Sequence, residues 1–183
     1  LERLGVKIAV VSSCHPEILC ERLSGFFDRV LVDAPCSEEG MFRRDRGAVR
    51  SWSAEHVRSC AARQILILRS AARAVRENGI LVYSTCTFSR EENEETVLAF
   101  LKEHPDFSLE PSGVEFGRPG FDLPQARRIF PMDGGDGHFA ARLRRLSPCV
   151  CRAVPFDPPK AGGQKAVQAL LEEVFQIPPE EKI

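Results

Sequence analysis

The amino-acid sequence predicts an α/β protein whose sheet is mainly parallel and covered by helices on both faces. Short apolar, β-branched runs of strand length recur along the chain, and stretches with the apolar periodicity of helices separate them. This alternation is typical of parallel sheets, because each crossover helix packs back onto the sheet. Of the 183 residues, 43% are hydrophobic, which is enough to build a core.

The first elements of this alternation are two strands with a short helix between them. Residues 6–11 (VKIAVV) form an apolar, β-branched run that predicts a strand. Pro16 then lies where the first turn of a helix tolerates proline, so we expect a helix over about 16–24. Residues 29–33 (RVLVD) predict a buried strand that ends on an acidic residue and runs into the helix breaker Pro35.

A long amphipathic helix is predicted after Ser53. Its apolar residues recur at steps of three and four and so define one buried face; they are Val57, Ala61, Ile65, Leu68, Ala72 and Val75. We expect this helix to end at the Asn-Gly pair at 78–79, because such pairs are typical of turns. Residues 80–83 (ILVY) then predict a third buried strand.

The later elements are a second long helix and one more strand. Ser89 and Glu92 have the spacing of a capping box, which predicts a helix over about 89–103. A Gly- and Pro-rich connection follows, and the apolar pattern resumes at 137–143, where we expect a late edge strand.

Composition narrows the classes of function. The formal net charge is −1, from 25 basic and 26 acidic residues, so no global positive field indicates nucleic acid. No run approaches the roughly 20 apolar residues that span a bilayer, and no charged-then-apolar leader opens the chain. We therefore expect a cytoplasmic protein with no membrane partner. The 7 cysteines form no even, secreted framework, so reduced thiols are expected.

Two cysteines just after predicted strands are the most informative residues. Cys36 lies in DAPCS, after the strand at 29–33, and Cys86 lies in STCTFS, after the strand at 80–83. Ligands of open α/β sheets gather at the carboxyl ends of strands. Cys86 also lies just before a predicted helix start, whose dipole favours a reactive thiolate. A single buried cysteine is commonly a small hydrophobic residue, so it is the pair that indicates chemistry.

The segments around these cysteines resemble a known family. DAPCSEEGMFRRD (33–45) and LVYSTCTFSREENEE (81–95) closely resemble two signature motifs of the NOL1/NOP2/Sun family of RNA 5-methylcytosine methyltransferases. The similarity continues into a later RRIFPMDGGDGHFAARLRR and spans roughly residues 1–146. It implies a Rossmann-like methyltransferase sheet that is present only in part, and S-adenosylmethionine as the cofactor. It also implies RNA as the partner, with ribosomal RNA first and transfer RNA second.

The resemblance implies a mechanism with two cysteines. Carbon 5 of cytosine is too weak a nucleophile to be methylated unaided, so a thiolate first adds to carbon 6. The family assigns that thiolate to the STC motif, hence Cys86, and the release of the enzyme to the PC motif, hence Cys36. Asp33 lies in the family pattern where the cofactor and the target base meet, and a carboxyl group there can hydrogen-bond the cytosine. Which of the two it mainly contacts stays open.

The chain departs from the family pattern in three places. Glu38 stands where the family usually has glycine, which changes the loop if that position needs a positive φ. Ser13 lies near where many relatives carry an asparagine close to the cofactor adenine. The glycine-rich turn that would cradle the methionine end of the cofactor is missing.

This third departure, and a first residue other than methionine, lead us to expect a piece of a longer protein that is inactive alone. We assign residues 1–146 to the carboxyl-terminal part of a methyltransferase domain. Residues 147–183, rich in Pro and Gly, are expected to be a linker and the start of a carboxyl-terminal appendage, with a helix over about 164–175.

Charged runs flank the cysteine motifs. Arg43 and Arg44 belong to a basic run after the first motif, and a second run lies at 142–145. Such runs are usually solvated surface, but beside an RNA-modifying site phosphate contacts become equally reasonable. The glutamates of 91–95 are expected to favour the helix dipole and solvation, without a catalytic role.

A metal site and a non-catalytic role are the competing hypotheses. Cys149 and Cys151 lie after His138, and Cys14 precedes His15, but neither spacing matches a usual zinc pattern, so no metal is expected. The alternative function is an RNA-binding or assembly module that retains the fold without a complete cofactor site. Binding of S-adenosylmethionine distinguishes that module from an enzyme.

Overall fold

The computed structural model describes residues 9–148, which form a mixed six-stranded sheet with four α-helices. The helices are α1 (Pro16–Arg22), α2 (Arg46–Ser51), α3 (Ala54–Ala74) and α4 (Glu94–Glu103). The strands are β1 (Phe27–Asp33), β2 (Val75–Thr85), β3 (Phe107–Glu110), β4 (Arg118–Pro119), β5 (Arg127–Ile129) and β6 (His138–Arg145). The order in the sheet is β1-β2-β6-β5-β4, and β3 also pairs with β6.

The strand directions differ from the prediction, although the α/β class is confirmed. β1 and β2 are parallel, but β6 is antiparallel to β2, β3 and β5, and β4 is antiparallel to β5. A mainly parallel sheet is therefore wrong for residues 9–148. The edge position predicted for 137–143 is also wrong, because β6 lies between β2 and β5. Alternate residues of β6, Phe139, Ala141 and Leu143, are buried, as expected for a strand with one face in the core.

The core lies between one face of the sheet and the helices α3 and α4. Its members include Val32, Leu81, Tyr83, Leu143, Leu68, Ala72, Val97 and Phe100. On the opposite face, Leu31 of β1 is 69% exposed. Among residues 9–148, helices therefore cover one face of the sheet rather than the two that were predicted.

The helix α3 begins where the sequence predicts and ends earlier. The side chain of Ser53 accepts a hydrogen bond from the N–H of His56 at 3.0 Å, which caps the first turn. The helix ends at Ala74, and the chain passes directly into β2. The Asn-Gly pair predicted to end the helix lies inside β2, where the pairing register shifts and Asn78 has a φ of 59°.

The helix α4 starts at Glu94, not at Ser89. Residues 90–93 form a turn, in which Ser89 Oγ accepts the N–H of Glu92 at 3.4 Å. The return bond of a capping box is replaced by other contacts, because the Glu92 side chain is buried and binds groups on other segments. The predicted capping box is therefore wrong.

The ends of the chain are only partly described. The helix α1 confirms the helix predicted over 16–24, as far as Arg22. Residues 9–15 contain no helix or strand, and the rest of the strand predicted over 6–11 lies outside the described residues. The helix predicted over 164–175, with almost all of the linker, lies outside them too. Among the helices that are described, not one has the length and apolar character needed to cross a membrane.

Candidate active site at the carboxyl ends of β1 and β2

The carboxyl ends of β1 and β2 lie side by side and lead into the two cysteine motifs. Parallel pairing sets Asp33 opposite Ser84, and the N–H of Ala34 donates to the carbonyl oxygen of Ser84 at 2.9 Å. Both segments leave the sheet just beyond this point, after Asp33 in β1 and after Thr85 in β2. The Sγ atoms of Cys36 and Cys86 are 3.3 Å apart, although the residues are 50 positions apart in sequence.

The two thiols differ in proton affinity. A hydrogen bond donated by Cys36 lowers the pKa of Cys86, against the effects of burial and of the Glu38 and Asp33 carboxylates, which raise it. The same hydrogen bond, together with burial, raises the pKa of Cys36. Cys86 is half-buried, whereas Cys36 is buried. The contact itself allows either sulfur to donate, and the opposite pKa shifts favour Cys36 as the donor and Cys86 as the acceptor.

The cause of this ionisation differs from the one that the sequence indicates. The sequence predicts a helix N-terminus directly after Cys86, but α4 begins at Glu94, beyond the turn at 90–93. The favourable effect of a helix dipole falls off within the first turn, so it does not reach Cys86. The neighbouring thiol of Cys36 takes that role.

Asp33 ends β1 and is exposed. Its Oδ1 accepts a hydrogen bond from Ser84 Oγ at 3.0 Å, which holds the carboxylate at the end of the sheet. A cavity of about 390 Å³ lies beside it, and Ser12 and Pro35 are among its lining residues. Ser13, the position that the family pattern places near the adenine, is exposed and lies outside this lining, whereas Ser12 belongs to it.

A buried polar cluster behind the cysteines was missed by the sequence analysis. The Glu92 carboxylate accepts hydrogen bonds from the N–H of Ser37 at 3.0 Å, from the hydroxyl of Ser37, and from Gln64 Nε2 at 2.8 Å. The expectation that Glu92 is a solvated helix-start residue is wrong, because it is 0% exposed. The segment 91–95 (EENEE) has no pattern of apolar and polar residues, so the sequence does not indicate which of its glutamates are buried.

The segment after β1 (34–41, the Cys36 loop) packs through its backbone against the segment after β2 (86–89, the Cys86 loop). The N–H of Gly40 donates to the carbonyl oxygen of Cys86 at 2.9 Å, and a Cβ at Gly40 would lie 2.6 Å from the carbonyl oxygen of Gly137. Only glycine fits this approach. Glu38, where the family usually has glycine, adopts a left-handed φ of 59°.

The predicted phosphate-binding arginines lie on the surface near this loop. Arg43 is exposed, and Arg44 is exposed while its Nη2 pairs with Asp136 at 2.9 Å. The second basic run is engaged within the protein, as the pairs Arg142–Glu110, Arg144–Glu110 and Arg145–Asp106 show. The structure therefore leaves the first run as the better candidate for an RNA contact.

No group of three or more His, Cys, Asp or Glu side chains in residues 9–148 is arranged to hold a metal ion. Cys149 and Cys151 lie outside the described residues.

The fold and the site define a class, and comparison with known proteins names the family. A mixed α/β sheet of this kind, with solved methyltransferases as its structural neighbours, defines a Rossmann-like S-adenosylmethionine-dependent methyltransferase fold in partial form. Residues 1–144 match the family described as 16S rRNA methyltransferase RsmB/F, and the chain belongs to this family. The resemblance to the NOL1/NOP2/Sun methyltransferases is thereby confirmed.

Individual relatives agree with this assignment. Ribosomal RNA small subunit methyltransferase F of Salmonella heidelberg (strain SL476) is 35% identical over 165 residues, covering 85% of this chain and 33% of the relative. The enzyme of the same name from Vibrio cholerae serotype O1 (strain M66-2) is 37% identical over 151 residues, covering 80% and 32%. The chain spans about a third of the length of these relatives.

Solved structures show the same fold. NSun6 from Pyrococcus horikoshii with SFG, an analogue of S-adenosylmethionine, has a TM-score of 0.65 at 29% identity, covering 80% of this chain and 37% of NSun6. A methyltransferase homolog protein from Pyrococcus horikoshii has a TM-score of 0.60 at 29% identity, covering 79% and 47%. The cofactor expected from the sequence, S-adenosylmethionine, agrees with this family.

Proposed function

We propose that this chain carries the catalytic cysteines of an S-adenosylmethionine-dependent RNA (cytosine-C5) methyltransferase that acts on small-subunit ribosomal RNA. The contact between the two sulfur atoms, 3.3 Å apart, carries the proposal. It lowers the pKa of Cys86 and raises that of Cys36. A thiolate is the form that adds to a pyrimidine ring, and a neighbouring thiol can assist its departure.

Cys86 is proposed as the nucleophile. Its Sγ gives an electron pair to carbon 6 of cytosine, and a C–S bond forms. The electron pair of the C5–C6 double bond shifts onto carbon 5, which becomes nucleophilic. S-adenosylmethionine, when bound, supplies the methyl group. Before the attack, the hydrogen bond from Cys36 keeps Cys86 ionised.

Cys36 is proposed to act in the release of the product. The methylated carbon 5 still carries its hydrogen, and a base removes that proton. The electron pair of the C5–H bond forms the C5–C6 double bond as the C–S bond breaks, and the electron pair of the C–S bond returns to Cys86 Sγ. The thiol of Cys36 lies 3.3 Å from that sulfur and donates the hydrogen bond that stabilises the departing thiolate.

The residues around Asp33 fit part of a cofactor site. The cavity beside Asp33, at about 390 Å³, falls within the range of small-molecule pockets. Its walls are mostly apolar, from residues such as Leu19 and Val30, and Asp33 and Ser12 add polar groups that can bind hydroxyl or amino groups. No glycine-rich turn follows a strand in residues 9–148, so these residues supply only some of the contacts.

The substrate proposal rests on the relatives and on the surface near the site. Both bacterial relatives are named as ribosomal RNA small subunit methyltransferases. Arg43 and Arg44 are exposed close to the Cys36 loop, where they can contact RNA phosphates. An enzyme that modifies bacterial ribosomal RNA works in the cytoplasm, which is the compartment proposed here.

Product analysis tests this function. Full-length protein is incubated with unmodified 16S ribosomal RNA and S-adenosylmethionine, and the digested RNA is examined by mass spectrometry. We expect 5-methylcytidine among the digestion products of the ribosomal RNA. Methylation of transfer RNA in a parallel reaction, with ribosomal RNA unmodified, would overturn the substrate assignment, and a methyl group on another base would overturn the chemistry.

A non-catalytic RNA-binding module is the second candidate function, the alternative that the sequence leaves open. Calorimetry of the full-length protein with S-adenosylmethionine separates the two. Saturable binding with a micromolar Kd supports the enzyme. RNA binding without any cofactor binding supports the module.

A further inference from the structure

The carboxylate of Glu92 is buried behind the two cysteines and has only neutral partners. It is 0% exposed, and its hydrogen bonds come from the N–H and the hydroxyl of Ser37 and from Gln64 Nε2. Among residues 9–148 no arginine or lysine forms an ion pair with it. A charge buried in this way is costly unless every donor around it is kept in place.

The partners of Glu92 are the residues that flank Cys36. Ser37 directly follows Cys36 and donates two hydrogen bonds to the Glu92 carboxylate. Gln64 Nε2 donates both to Glu92 and to the carbonyl oxygen of Pro35 at 2.9 Å, just before Cys36. The Cys36 loop is therefore attached to Glu92 on both sides of the cysteine.

The same cluster reaches the Cys86 loop. Ser37 Oγ lies 2.9 Å from Thr87 Oγ1, and Thr87 directly follows Cys86. The hydroxyl of Tyr83, just before the Cys86 motif, donates to the carbonyl oxygen of Glu92 at 2.6 Å. Ser37 thus links the Glu92 carboxylate to Thr87, and Tyr83 binds the backbone of the same residue.

We propose that Glu92 is a positioning residue for the two cysteines: its carboxylate holds the Cys36 loop against the Cys86 loop and keeps the sulfur atoms within hydrogen-bond distance. The proposal deepens the proposed methyltransferase function and rests on it for its catalytic meaning. Glu92 does not touch the reacting atoms itself. Its effect on Cys86 passes through Ser37 and Cys36.

A purely structural role is the simpler explanation, and Glu94 provides the matched comparison. Glu94 is also 0% exposed, but its hydrogen bonds come from Arg128 and the N–H of Phe121, and none comes from the residues that flank Cys36. Glu94 reaches the Cys86 loop only through Arg128, which donates to the carbonyl oxygen of Phe88 at 2.9 Å. Burial would raise the pKa of Glu94, and the hydrogen bonds from Arg128 and Phe121 outweigh it and lower the pKa. Loss of this charge should destabilise the fold but leave the Cys36 loop in place, because the contacts that hold that loop are made by Glu92.

Thiol reactivity as a function of pH tests the proposal. Full-length wild type, Glu92→Gln and Glu94→Gln are treated with iodoacetamide between pH 5 and 10, and alkylation of Cys86 is followed by mass spectrometry. The titratable groups that face Cys86 are Cys36, Glu38 and Asp33. All three remain in each variant. Loss of the Glu92 charge by itself would favour the thiolate and lower the midpoint, so a raised midpoint reports a changed arrangement of these groups.

We expect Glu92→Gln to raise the Cys86 midpoint by about one pH unit, because the hydrogen bond that favours the thiolate is loosened. The methylation rate should fall on the order of a hundredfold, as for a misplacement of about 1 Å. Glu94→Gln should lower the Tm at least as much and leave the midpoint unchanged. A folded Glu92→Gln protein with the wild-type midpoint overturns the proposal, as does an equal change of midpoint in Glu94→Gln.

Ser37→Ala carries the same test if Glu92→Gln does not fold. This change removes one donor to Glu92 and the contact with Thr87, and it leaves the charge paired with the N–H of Ser37 and with Gln64. We expect a smaller rise of the Cys86 midpoint, and an unchanged midpoint contradicts the proposal. Alkylation needs neither RNA nor cofactor, so its outcome is distinct from a failure of the methyltransferase assignment.

Discussion

Cys36 and Cys86 carry the same functional group 3.3 Å apart, and their surroundings treat that group in opposite ways. Cys36 is 8% exposed, and its hydrogen bond with Cys86 together with this burial raises its pKa. Cys86 is half-buried and accepts the Cys36 hydrogen bond, so its pKa lies below the ordinary value. We propose that this difference in pKa between two identical side chains divides a nucleophile from a proton donor.

Removal of the nucleophile should have the largest effect. Cys86→Ala leaves no sulfur to add to carbon 6, so methylation of 16S ribosomal RNA by the full-length protein should fall by about 10⁴-fold or more. Incorporation of a labelled methyl group measures the loss. Cys60→Ala is the matched control, because Cys60 is also a free thiol and lies on α3. Equal losses of methylation in both variants would contradict the assignment of Cys86 as the nucleophile.

Removal of the proton donor should stop the reaction at a different stage. Cys36→Ala retains the nucleophile, so carbon 6 is still attacked, but the departing sulfur has lost its hydrogen-bond donor. Turnover should fall to near zero while a covalent protein–RNA adduct accumulates. A denaturing gel should show a retarded band that protease digestion removes.

The double variant Cys36→Ala, Cys86→Ala provides the control for this band. It lacks the sulfur that forms the adduct, so the retarded band should disappear. A band that persists in the double variant would arise from another residue and would break the division of roles between the two cysteines.

The ionisation of Cys86 should depend on Cys36 even without substrate. The lowered pKa of Cys86 keeps its thiolate populated below the ordinary value of 9.0, and the thiolate is lost only as the pH falls through the lowered pKa. Cys36→Ala removes the donor, while Glu38 and Asp33 still oppose the negative charge. If the Cys86 pKa rises by about one, alkylation of Cys86 at a pH below both pKa values should slow by about tenfold. Equal rates at that pH would show that Cys36 does not set the charge.

The sequence predicted the two cysteine motifs and their strands because these features are local. An apolar run that ends on Asp33 and another that ends before Ser84 are visible in the chain, and parallel strands bring such ends together. The cause of the lowered Cys86 pKa was not visible. It depends on a contact between residues 50 positions apart, and no local pattern specifies which way either side chain points.

The acidic run at 91–95 shows the same limit. Capping-box spacing and solvated acids are local expectations, and tertiary contacts override them. Glu92 turns inward to Ser37 and Gln64, and Glu94 turns inward to Arg128, so the helix starts later than predicted. The edge position predicted for β6 is wrong for a related reason, since its partners β2, β3 and β5 are chosen by packing across the sheet rather than by its own residues.

The smallest predicted effect concerns Glu38, whose backbone and side chain act on the cysteines in opposite directions. Its backbone hydrogen bond to Cys36 favours a Cys36 thiolate, and its carboxylate raises the pKa of Cys86. Glu38→Gly keeps the N–H and removes the carboxylate, so the Cys86 alkylation midpoint should fall by a few tenths of a pH unit, roughly the effect of one exposed charge.

The backbone conformation of Glu38 allows the effect of its charge to be separated from a change in loop geometry. Its φ of 59° is left-handed, and that conformation costs a non-glycine residue roughly 1 kcal/mol. Glycine removes this cost but gains freedom in the unfolded chain, so Glu38→Gly should raise the Tm by only about 1–2 °C. Glu38→Ala removes the charge and keeps the strain, so it should lower the Cys86 midpoint equally without raising the Tm. A midpoint that moves in the glycine variant alone would assign the effect to loop geometry, and the Glu38 carboxylate would then have no part in setting the charge of Cys86.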